Sequence, residues 1–316
     1  MSEKDSAAKN CFEDPVIFAD ACNGILYKGE QVVDPDDLEK AENEYLYFDG
    51  NAEIKTTVDV AKRWKSKDTT IAVILLESQS ETDYSMVLRS MITQTIGYYK
   101  QLKLKKSDHK RSNDLTDSAE FLSGISKEDR FEPIITIVIY HGRDPWDGPR
   151  DLHGLLRLDD KLKPFVPNIS LNLYDYHEYS SFNEFKTELS LAFEAFSCQE
   201  DKKRLLELMH EKGQLVGTGI SRFIAKVLNI KNLSKYTRKD AKGEERTIMC
   251  TAIEELIEDG RIEGRTKGRI EGRTEGRNGL LQGALANGST PEQIAAVLGI
   301  PIQEILDVQA HLPIYT

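Results

Sequence analysis

Two carboxylates and one amide set the chemical question. Asp59 lies at the end of a stretch rich in β-branched residues, and the apolar run Ile71 to Leu76 ends abruptly in Glu77-Ser78-Gln79. If the two stretches pair as a hairpin, both carboxylates converge on one point. Close carboxylates repel, and Mg2+ relieves that repulsion because it takes oxygen ligands while keeping several waters. Beside a phosphodiester such an ion stabilises developing charge and lowers the pKa of an attacking water. Mn2+ could serve the same site. Gln79 does not titrate, so it is no general base. It both donates and accepts hydrogen bonds and can orient the water or the phosphate. Spacing alone makes this a weak signal, and ordinary structural roles compete with it.

Other candidates carry less. His141 ends an apolar strand and could shuttle a proton, but a turn histidine bonded to backbone is the stronger reading. Trp64 and Trp146 could stack on bases, with core packing as the competing role. Asp175 and His177 have no matching partner motif for a triad. The late glycines show no phosphate-loop pattern.

These groups need elements to hold them. Pro15 to Tyr27 reads as a helix capped by Asp14. Gln31 to Glu44 reads as an acidic loop with one helical turn. Tyr45–Phe48, Thr56–Trp64, Ile71–Gln79, Pro133–Tyr140 and Asn168–Tyr174 read as strands. Apolar positions from Met86 to Tyr99 predict a helix over 84–104. Residues 105–132 read as a polar, basic-to-mixed insertion with flexible parts. From Ser181 onward the pattern is helical. The fold class is therefore α/β, a mixed sheet flanked by helices. The predicted boundary separates residues 1–212 from a helical region, 213–316. That region holds a Gly-Arg tetrad repeat over 257–283, with Gly260, Gly264, Gly268, Gly272 and Gly276 each followed by arginine, and a helix pair over 290–311. The repeat is either a low-complexity linker or a helix whose glycine row admits a close neighbour.

Bulk properties narrow the class. The chain has 316 residues and a formal net charge of −11. The charge argues mildly against a nucleic-acid binder, but its distribution is uneven. Basic clusters occur at Lys62, Arg63, Lys65 and Lys67, and at Lys100, Lys103, Lys105, Lys106, Lys110 and Arg111. Lys62, Arg63, Lys65, Lys103, Lys105 and Lys106 are the expected DNA contacts. No apolar run spans a membrane. The polar N-terminus and the scattered Cys11, Cys22, Cys198 and Cys250 point to the cytoplasm, without a disulfide framework or zinc knuckle.

Several segments, in order, resemble the Rpn family of recombination-promoting nucleases, a PD-(D/E)XK family of transposases. They are Phe18–Asn23, Asp59-Val60-Ala61-Lys62, Ile71–Ser80, and Asp83–Arg89 with its Asp-x-x-Met-x-x-Arg spacing. Phe121–Gly124, Tyr140-His141-Gly142, Pro145–Pro149, Leu152-His153 and the glycine repeat with its closing helix pair continue the likeness. Val58, Ser78 and Val87 depart from the family pattern, and none of them removes a metal ligand. The resemblance implies a restriction-endonuclease-like core in which Gln79 replaces the usual lysine. It implies metal binding by Asp59 and Glu77, with Asp20 as a further acid from the first helix.

Two functions follow as expectations. One is a Mg2+-dependent DNA endonuclease linked to recombination. The other is a catalytically degenerate nuclease fold that binds DNA or protein. A homo-oligomer built through the glycine repeat is expected with either.

Overall fold

The computed structural model describes residues 9–48, 53–76 and 83–310. They fall in two compact units, Met1–Ile253 and Glu254–Thr316.

In the first unit, helix α1 (Pro15–Tyr27) starts on its expected cap. Asp14 accepts from the Val16 N–H at 2.8 Å, and proline fills the first turn. The acidic loop contains a single 3-10 turn at Pro35–Asp37 and then strand β1 (Leu38–Lys40). Strands β2 (Glu44–Phe48) and β3 (Glu53–Thr57) pair as a separate antiparallel ribbon. Strand β4 (Val60–Trp64) then pairs antiparallel with β1 and with β5 (Thr69–Leu76). The single strand expected over 56–64 is therefore two strands in different sheets. Buried Val58 is the pivot, and its N–H donates to Asn43 O at 3.0 Å.

Helix α2 (Met86–Ser112) lies over the ribbon and over β6 (Ile134–Tyr140), continuing beyond the predicted end. The expected flexible insertion is instead clasped. Short helix α3 (Ser118–Ser123) follows, and the His109 ring bridges Asp114 (2.7 Å) and Asp129 (2.8 Å). Four hydrogen bonds from Thr116, Ser126 and Lys127 hold the Glu120 carboxylate, lowering its pKa to about 2. After the single-turn helix α4 (Leu152–Leu155), strand β7 (Asn172–Asp175) completes a mixed sheet of order β1-β4-β5-β6-β7. Strands β5, β6 and β7 run parallel, which demands the α2 crossover. Helix α1 covers β7 and packs on α5 (Leu189–Ser197).

The region after Ser181 is not wholly helical. Helix α6 (Lys202–Lys212) packs on α5, and helix α7 (Thr218–Val227) packs on a three-stranded sheet made of β8 (Val216–Gly217), β9 (Thr237–Lys239) and β10 (Glu245–Thr247). The expected boundary at 212/213 falls inside this unit, because Met209, Val216, Ile220 and Phe223 are all buried in it. Met249 N–H also closes on Gly213 O at 2.9 Å.

The second unit contains most of α8 (Met249–Ala286), then α9 (Pro291–Leu298) and α10 (Ile302–Ala310). Leu281, Ile294 and Ile305 form its small core. Thr290 and Gln293 make the capping box that starts α9. The glycine repeat is helical, not a linker. Among the described residues, apart from the helix's own neighbouring backbone, no heavy atom lies within 4 Å of where a Cβ would stand at Gly264, Gly268, Gly272 or Gly276. Among the described residues no helix is long and apolar enough to cross a membrane.

His141 follows β6 into the core, 3% exposed, with its ring edge-on to Phe223 at 5.4 Å. Neither ring nitrogen has a hydrogen-bond partner among the described residues. Burial, helped by the nearby Lys226 charge, pushes its pKa down to about 3. The unfolded ring takes a proton near pH 6.5, so stability is full above that value and falls as pH drops toward 3. From pH 7.5 to pH 5 this one group should remove about 2 kcal/mol of unfolding free energy. His141→Leu should flatten that part of the curve, as read by urea denaturation at both pH values.

Candidate active site

Register fixes which residues share the site. Val60 is level with Val73, and Trp64 with Thr69. Asp59, one residue before β4, therefore falls toward the end of the sheet at which β5 finishes. At that end Leu76 is level with Tyr140, and Tyr140 with Asp175. One edge thus receives Asp59 and the carboxyl ends of β5, β6 and β7. Asp59 is half-buried in the bend between β3 and β4. Glu77, Ser78 and Gln79 lie outside the described residues.

An apolar floor supports this edge. Val58, Ala61, Met86, Ile96, Val138, Tyr140 and Trp146 form one cluster, so the residue before Asp59 and the first residue of α2 share a footing. The Asp-x-x-Met-x-x-Arg spacing has a physical reading here. Asp83 Oδ1 accepts from the Ser85 N–H (2.9 Å) and hydroxyl (2.6 Å), and Oδ2 takes Arg89 Nη1 at 2.6 Å. Met86 is fully buried. The motif clamps the first turn of α2 by a carboxylate brace outside and a core anchor inside.

The loop after β6 is held as firmly. Tyr140 folds back to donate to Asp144 O at 2.8 Å, and a Cβ on Gly142 would stand 2.2 Å from its hydroxyl oxygen. Glycine there is a requirement of close approach. Trp146 N–H and the His177 ring both reach Asp175, at 2.8 and 2.6 Å. Spacing along the chain offers no reason to join Asp175 and His177 to this edge. Their one signal was a carboxylate closing an apolar strand, the feature that marked Glu77.

The structure corrects several expected roles. Asp20 is buried, and its two oxygens accept from Lys186 N–H (2.7 Å), Thr187 N–H (2.9 Å) and the Thr187 hydroxyl (2.6 Å). It ties α1 to the approach of α5, which leaves little capacity for a metal. Lys62, an expected DNA contact, is engaged internally: it is 6% exposed, its ammonium donates to Glu13 O at 2.9 Å and lies 5.5 Å from the Phe18 ring centroid. It shares a sheet face with Val60 and Trp64, which α1 covers. Arg63 is gripped by Glu39, Asp68 and Glu132. Lys65 donates to Asp36 O, and Lys105 pairs with Asp129. Lys103 lies 4.8 Å from the Tyr99 ring centroid. Lys103 and Lys106 are exposed on α2. Trp64 and Trp146 are buried, which favours packing over base stacking.

A family model described as "Putative transposase, YhgA-like" matches residues 60–217. The chain belongs to this family. The match runs from β4 to β8, takes in the Glu-x-Gln segment and the α2 clamp, and begins one residue after Asp59. It bears out the likeness to Rpn transposases drawn from the motifs. No curated protein and no solved structure matches the chain.

Asp20→Asn turns one acceptor face toward donors it cannot satisfy. It should lower the unfolding free energy by about 2 to 3 kcal/mol, measured by chemical denaturation. Metal binding followed by calorimetry should not change. A loss of metal affinity with unchanged stability would restore Asp20 as a ligand.

Proposed function

We propose that the chain is a metal-dependent DNA endonuclease with a restriction-endonuclease-like PD-(D/E)XK core. The observation that carries this reading is the β4–β5 register. It puts Asp59 at the end of the hairpin where Leu76 stands, and Glu77 is the next residue in the chain. The mixed sheet with helices on both sides fits such a core, and family membership supports a transposition-related nuclease role.

Asp59 and Glu77 would hold Mg2+ or Mn2+. A half-buried carboxylate offering oxygen alone suits a hard cation. When bound, the ion would supply Lewis-acid stabilisation and a more acidic water. Gln79 would orient that water by hydrogen bonding without taking its proton. Val58 and the clamp of Asp83 and Arg89 fix the chain on either side of the acids. Exposed Lys103 and Lys106 would contact phosphates.

The internal engagement of Lys62, Arg63, Lys65 and Lys105 favours a second reading, a degenerate fold that binds rather than cuts. Supercoiled plasmid, incubated with Mg2+, Mn2+ or chelator, separates the two. Metal-dependent nicking should slow by more than about 100-fold in Asp59→Ala and in Glu77→Ala. A parent-like rate in Asp59→Ala would remove that residue from the site. No cleavage by the parent, with DNA retained in a gel shift, would favour the binding module.

Self-association through α8 is part of the proposal. Four residues turn about 400°, so the glycine row advances about 40° per repeat and favours a right-handed crossing. Arginine follows each glycine, and Glu263, Glu271 and Glu275 precede Gly264, Gly272 and Gly276. The row is thus flanked by cations on one side and mainly anions on the other. A parallel two-fold pair sets arginine against glutamate, whereas an antiparallel pair sets arginine against arginine. Light scattering should give a dimer of the 35.8 kDa chain. Gly264→Leu with Gly272→Leu should raise its dissociation constant at least about tenfold, although leucine improves helix propensity. A monomeric parent would refute the pairing.

A further inference from the structure

Asp175 is 1% exposed, yet no step of the proposed reaction uses it. Its hydrogen bonds all serve the edge that bears the candidate site. Oδ2 accepts from the Trp146 N–H at 2.8 Å. Oδ1 accepts from the His177 N–H at 3.1 Å and stands 2.6 Å from His177 Nδ1. The far nitrogen of that ring lies 2.9 Å from Arg143 O. Tyr176, the residue between, donates to Gly142 O at 2.7 Å. The end of β7 therefore fixes the loop 142–148 at three of its residues.

The fixed loop reaches both sides of the candidate site. The Trp146 ring packs in the cluster that contains Val58, before Asp59, and Met86, at the start of α2. It meets Tyr140 edge-on at 5.3 Å. The next residue, Asp147, accepts from the Tyr84 hydroxyl at 3.0 Å. Tyr84 sits two positions before α2, between the Glu-x-Gln segment and the helix. One buried carboxylate is thus linked to the footing of Asp59 through packing. It is linked to the start of α2 through packing and a hydrogen bond.

We infer that Asp175 is a positioning residue for the candidate site, acting through the loop 142–148 and the Asp147–Tyr84 contact. This rests on the endonuclease reading for its functional meaning, while its geometry can be tested without cleavage. In this role Asp175 acts through the chain it holds rather than by contact with DNA or metal. It sets where the chain leaving the site joins α2. Misplacing a catalytic group by an ångström lowers rates by about 100-fold, and removing a support for a metal ligand costs about 10- to 100-fold.

The experiment uses the full chain as parent, Asp175→Asn and Tyr84→Phe. Tyr84 is 55% exposed, so losing its hydroxyl removes the contact without opening the core. Hydrogen–deuterium exchange is read first. Amides of residues 84–90 should exchange at least about threefold faster in both variants, while those of β9 and β10 stay at parent rates. In the plasmid assay kcat should fall about tenfold in Tyr84→Phe, with KM unchanged within about twofold. Unchanged exchange at 84–90 in Tyr84→Phe overturns the inference. So does faster exchange with an unchanged kcat in an active parent. If the parent cuts no DNA under any metal, the endonuclease reading fails, and the exchange result still decides the geometric link.

Discussion

The double pairing of β5 governs the molecule. One of its edges takes β4 antiparallel and the other takes β6 parallel. An antiparallel neighbour can be reached by a tight turn, here Lys65–Asp68, with Asp68 in the left-handed region at φ 43°. A parallel neighbour cannot, because the chain must return to the opposite end of the sheet. Helix α2 makes that return, so it has to begin at the edge where β5 finishes. The start of β4, the end of β5 and the start of α2 are thereby forced together by strand direction alone. The Asp83–Arg89 brace and the Met86 anchor refine a meeting that topology already imposes.

Covering both faces of that sheet has an electrostatic consequence. A lysine in β4 cannot reach water past α1, and Lys62 resolves this by passing its ammonium to a backbone carbonyl beside an aromatic ring. Arg63, on the other face, meets Glu39, Asp68 and Glu132. These are partly exposed pairs whose stabilising effect is small. Their larger effect is to cancel charge that a linear reading assigns to DNA. Of the six expected DNA contacts, Lys103 and Lys106 lie exposed on α2, and the net charge of −11 makes such basic character local rather than global.

Much of this architecture was legible. The strands at 71–76 and 134–140 are apolar runs too short for helices, and the capped first helix announced itself through Asp14 and Pro15. The break at Val58–Asp59 was not legible, because Thr56, Thr57, Val58 and Val60 all favour extended chain whichever sheet they join. Strands β8, β9 and β10 escaped because two or three residues cannot show a period of two. Lys62 misled because a basic cluster reads the same whether it faces water or a covering helix. Of the candidate site, Asp59 and Glu77 were visible as a carboxylate beside one strand and another closing the next. Asp175 was visible only in the same sense. What joined it to the others was register across β5, β6 and β7, a long-range property that no local window contains.

The two units are stabilised by different means. In the first, buried rings and hydrogen-bonded carboxylates determine each element several times over. In the second, the described core is Leu281, Ile294 and Ile305 with a few partly buried neighbours. The seven glycines in α8 disfavour helix by about 6 to 7 kcal/mol relative to alanine, a large sum beside so small a core. Ion pairs such as Arg261–Glu258 offset only a fraction of this. A helix so composed, with open space over its glycines, gains most from whatever covers that row. The flanking charges show what kind of surface fits: one with glutamate opposite arginine and small residues between. The helix itself presents that surface when two copies run in the same direction. The four-residue spacing that weakens α8 in isolation is thus the same feature on which the proposed pairing rests.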